Sequence, residues 1–190
     1  MKVLALGGSG GMGRYAVQYL HNIKQIEKIY VADVNSLSAK KFASHFDNRV
    51  EGLKLDIRDF ETLKSEMLKV NIVVNTTGPF FLFAEPILKA AIQTNTHYFD
   101  ICDDWEPTEK MIQMNDDAKK ANITAIIGLG ASPGLTNILA HMAISELDEV
   151  RKVYTGWDMS AAKPESESSQ SGVSAATVSY THLTLPTRRG

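Results

Sequence analysis

The sequence has little of several features that would assign it to a particular class of protein. Cys102 is its only cysteine, so no disulfide can form within the chain, and we expect a reducing compartment, by default the cytoplasm. No apolar run approaches the roughly 18 residues of a membrane span, and a strand expected from Lys2 leaves no room for a signal peptide. The net charge of −2, without long basic runs, argues against nucleic-acid binding.

Short apolar segments alternate with helix-like segments along most of the chain. The predicted strands are Val3–Leu6, Ile29–Ala32, Leu53–Leu55, Ile72–Val74, His97–Asp100 and Ile123–Ile127. The predicted helices are Gly11–His21, Ser36–Phe46, Phe60–Leu68, Pro86–Thr94 and Pro107–Ala121. Several strands are apolar almost throughout, which is typical of strands covered by helices on both faces. The pattern predicts an α/β fold of the Rossmann type, with a doubly wound parallel sheet.

The character of the sequence changes after Ile127. The segment GLGASPGLTN predicts a turn-rich loop, in which Ser132 caps a helix and Pro133 occupies its first position. We expect this helix to run to about Leu147 and to be followed by a strand, Val150–Trp157, and a serine-rich loop.

These features divide the sequence into three parts. Residues 1–130 form the predicted first domain, and residues 131–178 a connecting helix and the start of a second α/β domain that looks truncated. Residues 179–190 belong to the segment VSYTHLTLPTRRG, which looks like translated adaptor sequence, and we interpret them as a non-native tail. The alternative is a native amphipathic strand, because apolar and polar residues partly alternate there.

A glycine-rich segment follows the first predicted strand and opens the first predicted helix. It contains the pattern Gly8-x-Gly10-x-x-Gly13, and Asp33 lies about 20 residues further on, at the end of the second strand. Glycine-rich turns are common, but this context favours a loop that binds a dinucleotide over a plain turn. The residues predicted to surround the pyrophosphate are Gly8, Ser9, Gly10, Gly11, Met12 and Gly13.

Each glycine of the pattern has an expected role. Gly8 permits the tight turn, Gly10 lets the backbone approach the pyrophosphate, and Gly13 lets helix and strand pack closely. A mononucleotide P-loop would need Lys followed by Ser or Thr, where this sequence has Arg14 and Tyr15. The Tyr-x-x-x-Lys motif of short-chain dehydrogenases is absent. Arg14 is either a further ligand of the phosphates or a solvated side chain.

Asp33 bears on which dinucleotide binds. A carboxylate at this place accepts hydrogen bonds from both ribose hydroxyls and repels a 2′-phosphate. Of the two expected cofactors, NAD and NADP, the sequence therefore favours NAD. The alternative is that Asp33 only caps a helix or closes a turn.

Polar residues after the third and fourth strands are further candidates for cofactor binding. Asp56 ends the third strand, at a position beside the adenine in such folds, or else it only starts an exposed turn. Asn75, Thr76, Thr77 and Gly78 follow the fourth strand. Ligands bind outside the carboxyl ends of strands in open α/β sheets, so these residues are expected to line the cofactor.

An acidic segment, YFDICDDWE, follows the fifth strand. Asp100, Asp103, Asp104 and Glu106 could hold a substrate ammonium group, but capping of the next helix is favoured. Cys102 has no evident base beside it, so we expect a small buried side chain and not a nucleophile. The histidines are scattered without metal-ligand spacing, and no metal site is predicted.

The chain resembles the NAD(P)-binding domain of the saccharopine dehydrogenase-like family. The matching segments are VLALGGSGGMGR, VADV, VVNTTGPF, YFDICDD, and most specifically GLGASPGLTNILA with ELDEV after it. The resemblance implies hydride transfer between a nicotinamide and the C–N bond of an amino acid or its imine. It also implies a second α/β domain that carries most of the site for a small amino-acid-like substrate, and it allows a homodimer through that missing domain.

Two functions are therefore compatible with the sequence. One is the cofactor half of an amino-acid dehydrogenase, whose general acid and substrate-binding arginine are not identifiable in this chain. The other is a non-catalytic module that binds a dinucleotide and regulates a partner, since a Rossmann fold alone does not imply turnover.

Overall fold

A computed structural model describes residues 1–156. Its strands are β1 (Lys2–Leu6), β2 (Lys28–Asp33), β3 (Val50–Lys54), β4 (Ile72–Asn75), β5 (His97–Asp100) and β6 (Ala125–Ile126). Its helices are α1 (Gly11–His21), α2 (Ser36–Ala43), α3 (Phe60–Met67), α4 (Phe80–Gln93), α5 (Trp105–Gln113), α6 (Asn115–Lys120) and α7 (Leu135–Ser145).

The six strands form one parallel sheet in the order β3-β2-β1-β4-β5-β6. This is the strand order of a doubly wound sheet, so the predicted Rossmann-type α/β fold is confirmed. The order reverses between β1 and β4, and in doubly wound sheets the ligand crevice lies at such a reversal, outside the carboxyl ends of the strands. The glycine-rich segment follows β1, and residues 76–78 follow β4 at the same edge of the sheet.

Both faces of the sheet are buried, which explains the apolar strands. Side chains alternate along a strand, so Leu4 and Leu6 join one hydrophobic cluster while Val3 and Ala5 join the other. The first cluster includes Leu88 of α4, and the second includes residues of α1 and α2. No helix in the described residues is long and apolar enough to cross a lipid bilayer.

Helix α4 differs from the sequence prediction in where it begins. It starts at Phe80, so Pro86 lies inside the helix and not in its first turn. Proline removes one backbone hydrogen bond there. Burial of Ala84 and Ile87 on one face of the helix compensates for that loss, since both side chains are almost fully buried.

The predicted helix Pro107–Ala121 is two helices in the structure. α5 and α6 meet at Met114, whose ψ of 3° lies outside the helical range. Met114 packs against the core cluster that contains Leu88. The chain therefore bends at this residue.

The remaining differences between the predicted and the observed elements lie in β6 and in the segment after it. β6 is shorter than the predicted strand Ile123–Ile127. Helix α7 starts after Gly134, so Ser132 does not cap it and Pro133 is not its first residue. Both residues lie in the preceding turn, where the Pro133 carbonyl accepts a hydrogen bond from Gly130 N–H. Residues 150–156 contain no strand, and Trp157, the serine-rich loop and the tail lie outside the described residues.

Candidate dinucleotide-binding site

The glycine-rich loop, residues 7–13, is tied to the end of the neighbouring strand. The N–H groups of Gly7 and Gly8 both donate to the carbonyl of Ala32 in β2, at 2.9 and 3.3 Å. Gly7 has a φ of +68°, a conformation that side chains other than glycine disfavour. Gly8 lies inside the tight turn that the hydrogen bond from Gly10 N–H to the Gly7 carbonyl closes at 2.9 Å, as expected, and Gly7 takes the positive φ at the start of that turn.

Gly13 allows helix α1 to begin directly against this loop. A Cβ atom added to Gly13 would overlap the carbonyl oxygen of Gly7 and lie 2.7 Å from Gly8 Cα and 2.8 Å from Thr76 Oγ1. These distances are shorter than normal contacts, and two of the three atoms belong to the backbone. Only glycine fits there without displacing the loop, as the sequence predicted for Gly13.

The N-terminus of α1 has free backbone donors. Its N-cap residue, Gly10, has no side chain to accept a hydrogen bond, whereas Asn35 caps α2 and Asp59 caps α3 through their side chains. The first amides of a helix have no acceptor within the helix. Within residues 1–156 no acceptor is found for the amides of residues 11–13.

The space in front of these amides is open. A Cβ added to Gly11 would meet no atom within 4 Å, and one added to Gly10 would meet only the Gly7 carbonyl oxygen, at 3.1 Å. Uncapped amides, the positive end of the helix dipole and an uncovered backbone together suit a diphosphate. The loop therefore fits the pyrophosphate of a dinucleotide.

Asp33 lies at the carboxyl end of β2, beside the glycine-rich loop. Its Oδ2 accepts a hydrogen bond from Ser9 Oγ at 2.5 Å, and its Oδ1 accepts one from Asn35 N–H at 3.0 Å. Asn35, not Asp33, caps α2. Because each carboxylate oxygen accepts more than one hydrogen bond, Asp33 keeps acceptor capacity for ribose hydroxyls.

Arg14 is held against the same loop. Its Nε donates to the Ser9 carbonyl at 2.8 Å, and its guanidinium carbon lies 5.6 Å from the ring centroid of Phe42 in α2. Ser9 is itself buried. The structure thus places Arg14 between the glycine-rich loop and α2, rather than free in solvent.

The residues after β4 meet the glycine-rich loop across the crevice. Thr76 donates to the Leu6 carbonyl through both N–H, at 3.0 Å, and Oγ1, at 2.8 Å. Thr77 Oγ1 is buried without a hydrogen-bond partner in the described residues, and a Cβ on Gly7 would lie 3.0 Å from it. A Cβ on Gly78 would meet nothing within 4 Å. Thr76 and Thr77 therefore lie against the end of β1 and the glycine-rich loop, and contact of Thr76, Thr77 and Gly78 with a cofactor stays a prediction.

Asn75 serves a different purpose from its neighbours. It is fully buried, its Oδ1 accepts from Thr77 N–H at 3.0 Å, and its Nδ2 donates to Tyr98 Oη at 3.1 Å. Asn75 thus positions the backbone of the segment that lines the crevice, and its side chain is engaged inside the protein.

Tyr98 and Asp100 extend this buried network. Both lie on β5 two residues apart, so they share one face of the sheet. Tyr98 Oη donates to Asp100 Oδ2 at 2.7 Å, and Asp100 Oδ1 accepts from the N–H groups of Cys102 at 3.0 Å and Gly128 at 2.8 Å. The network connects the end of β4 to the loop that precedes α7.

Burial dominates the protonation of this network. It raises the pKa of Asp100, although hydrogen bonds from Gly128, Tyr98 and Cys102 oppose the rise. Burial also raises the pKa of Tyr98 well above its ordinary value, and the neighbouring Asp100 charge adds to the effect. Asp100 is therefore not available to hold a substrate ammonium group. The sequence analysis missed the part played by Tyr98, although its spacing from Asp100 placed both on one face.

Two of the other acidic residues after β5, Asp104 and Glu106, have structural partners. Asp104 Oδ2 accepts a hydrogen bond from Phe81 N–H at 3.0 Å, so it caps α4 and not the helix that follows it in sequence. Glu106 pairs with Lys110 one turn later. Burial raises the pKa of Asp103.

Cys102 is buried, as predicted, and burial raises the pKa of its thiol to about 11. A thiol in this state is a poor nucleophile near neutral pH.

Asp56 lies in an exposed turn after β3. Arg58 donates to its carboxylate through Nε and Nη2, and this hydrogen bonding lowers the pKa of Asp56 to about 2. The Leu55 N–H donates to the Asp33 carbonyl, so the ends of β2 and β3 are adjacent. Contact between Asp56 and an adenine stays a prediction. In the described residues no group of His, Cys, Asp or Glu could hold a metal ion.

Comparisons with known proteins identify the family. Residues 3–126 match the family described as the saccharopine dehydrogenase NADP-binding domain. The chain belongs to this family. It is therefore a domain of a nicotinamide dinucleotide-binding family, in agreement with the open glycine-rich loop.

Individual relatives are more distant. A lipid droplet localized protein of Caenorhabditis elegans is 29% identical over 139 residues, which cover 67% of this chain and 32% of that protein. Apo saccharopine dehydrogenase (L-Glu forming) from Saccharomyces cerevisiae has a TM-score of 0.67 at 23% identity, over 76% of this chain and 31% of that one. Citrobacter sp. triphenylmethane reductase complexed with NADP(H) has a TM-score of 0.51 at 16% identity, over 67% of this chain and 48% of that one.

These relatives agree with the fold, and they are longer than the region matched. The chain spans about a third of the Caenorhabditis protein and of the yeast dehydrogenase.

Proposed function

We propose that this chain is the cofactor-binding part of an NAD(P)-dependent oxidoreductase that acts on the C–N bond of an amino acid or its imine. The observation that carries the proposal is the uncapped N-terminus of α1, which faces open space and lies next to the Asp33 carboxylate. Membership in the saccharopine dehydrogenase NADP-binding domain family supports the reaction class.

The residues of the chain have distinct roles in this proposal. The amides of Gly11, Met12 and Gly13 donate to the pyrophosphate, and the bare backbone at Gly10 permits its close approach. Asp33 accepts hydrogen bonds from the adenosine ribose, which favours NAD. The bound nicotinamide supplies the hydride acceptor or donor.

The opposite end of the cofactor lies toward β4 in this proposal. Thr76, Thr77 and Gly78 line the crevice there, and the hydrogen bond from Thr77 N–H to Asn75 Oδ1 keeps this backbone in place. The unpartnered Thr77 Oγ1 is a donor that a ligand or water in the crevice would satisfy.

The substrate site requires more protein than the described residues contain. Leu135, Ile138, Leu139 and Met142 of α7 are each more than half exposed. An exposed apolar helix of this kind is typical of a surface that another domain or subunit covers. We propose that a second α/β domain of a longer protein packs there and binds the amino-acid-like substrate, with a homodimer as one form of that assembly.

The test is a reaction assay on a protein that contains this chain and the additional domain. Candidate amino acids are offered with NAD or NADP, and formation of the reduced cofactor is followed by absorbance. The proposal predicts saturable oxidation of at least one amino acid. Cofactor binding without turnover of any amino acid or imine would favour a non-catalytic dinucleotide-binding module.

A further inference from the structure

We propose that Arg14 forms a 2′-phosphate subsite that lets this site accept NADP in spite of Asp33. The inference rests on the proposed cofactor function and concerns only how the adenosine end is recognised. It assigns to Arg14 a role in cofactor choice, in addition to its contacts with the glycine-rich loop.

The first support is that the guanidinium of Arg14 is held in place by two elements. Nε donates to the Ser9 carbonyl in the loop, and the Phe42 ring of α2 lies beneath the guanidinium. A guanidinium positioned beforehand loses less conformational entropy when it binds a ligand.

The second support is that the remaining donors of Arg14 are unused. Among residues 1–156, no hydrogen bond from its two Nη atoms and no ion pair to an acidic side chain is found. In particular, Arg14 does not form a salt bridge with Asp33. The positive charge is therefore not neutralised by the carboxylate nearby.

The third support is the location of these donors. Ser9 binds Arg14 through its carbonyl and Asp33 through its hydroxyl, so one buried residue joins the two side chains. Phe42 belongs to the helix that follows Asp33 in sequence. The guanidinium thus lies beside the turn where the adenosine ribose is expected.

Asp33 and Arg14 favour different cofactors, because one carries a negative charge and the other a positive charge. Asp33 accepts from a 2′-hydroxyl and repels a 2′-phosphate, whereas the two Nη groups of an arginine match phosphate oxygens in a bidentate geometry. A site with both groups binds NAD through Asp33 and NADP through Arg14. Removing either group should shift the preference in the opposite direction.

The experiment measures dissociation constants of NADH and NADPH for the 190-residue chain by calorimetry. Variants are Arg14→Gln, Asp33→Ser and the matched control Lys41→Gln, which removes a charge from an exposed position of α2. We expect Arg14→Gln to weaken NADPH binding about tenfold or more, and NADH binding much less. Asp33→Ser should weaken NADH binding and spare NADPH. Lys41→Gln should change neither.

Two further measurements distinguish a 2′-phosphate subsite at Arg14 from a role of Arg14 in holding the glycine-rich loop. Adenosine 2′,5′-bisphosphate and adenosine 5′-monophosphate probe the phosphate without the nicotinamide, and Arg14→Gln should weaken only the first. Arg14→Lys keeps the positive charge but lacks the planar guanidinium. This variant replaces Arg14→Gln in the experiment if the glutamine variant does not fold. It should still bind NADPH more weakly than the unmutated chain does.

Equal loss of NADH and NADPH affinity in the folded Arg14 variants would overturn the inference, because Arg14 would then only brace the loop. Failure of the unmutated chain to bind either dinucleotide would contradict the proposed function itself.

Discussion

Replacing Gly13 by alanine should destabilise the domain, because the added methyl group has no room between α1 and the glycine-rich loop. The new Cβ would overlap the Gly7 carbonyl oxygen and lie 2.7 Å from Gly8 Cα, so the loop or the helix must move. Overpacking of this kind costs about 1–3 kcal/mol. Alanine is a better helix former than glycine, which offsets up to about 1 kcal/mol. We expect a net loss of about 1–2 kcal/mol in the free energy of unfolding.

The assay is urea and thermal unfolding followed by circular dichroism. For a chain of this length, a loss of 1 kcal/mol lowers the Tm by about 2–4 °C, so a decrease of about 2–8 °C is expected. Gly11→Ala is the matched control, since its Cβ would meet no atom within 4 Å, and it should be as stable as the unmutated protein or slightly more stable. Equal stability of the two variants would refute the argument from close packing at Gly13.

Three further predictions concern Asp100 and the neighbouring Cys102. Asp100→Ala leaves the amides of Cys102 and Gly128 without their acceptor, and should lower the free energy of unfolding by about 2–4 kcal/mol in urea titrations; a loss below 0.5 kcal/mol would contradict it. Burial raises the pKa of Asp100 in the folded state, so folding loses stability as the pH rises from the ordinary Asp pKa, about 4, through the raised value. The Asp100→Asn variant cannot ionise at this position, so its free energy of unfolding should rise relative to that of the unmutated protein as the pH increases over that range. A difference in stability that does not change with pH would exclude the raised pKa of Asp100. The Cys102 thiol, with its pKa raised to about 11, should react with a thiol-specific disulfide reagent at pH 8 only after unfolding, and rapid labelling of the folded chain would show that it is accessible.

Local patterns in the sequence were sufficient to predict the sheet and the glycine-rich loop between β1 and α1. The apolar strands and the glycine spacing can each be recognised within a short segment, and Asp33 can be recognised by its place about 20 residues further on, at the end of the second strand. The same local reasoning did not identify Gly7 as the residue with the positive φ, because any of the adjacent glycines can adopt that conformation. It also began α4 at Pro86, since the packing that retains a proline inside that helix is tertiary.

Contacts between distant parts of the chain were beyond sequence reasoning. The hydrogen bond from Gly128 to Asp100 requires that the loop after β6 return to the end of β5. Asp104 caps α4 because α4 and the loop after β5 are adjacent in space, not in sequence. The two alternatives for Arg14 could be compared only once the structure placed Phe42 beneath its guanidinium.

Dinucleotide binding at the glycine-rich loop is tested most directly by a calorimetric titration of NADH and NADPH into the chain and its Gly10→Val and Lys41→Gln variants. A side chain at Gly10 would occupy the approach to the free amides of α1, while its Cβ meets only the Gly7 carbonyl, at 3.1 Å, so the fold should persist. We expect saturable binding to the unmutated chain and to Lys41→Gln, whose side chain is exposed on α2, and a loss of about tenfold or more in affinity for Gly10→Val. Unchanged affinity in a folded Gly10→Val variant, or no binding to the unmutated chain, would contradict the assignment of the glycine-rich loop as the dinucleotide site.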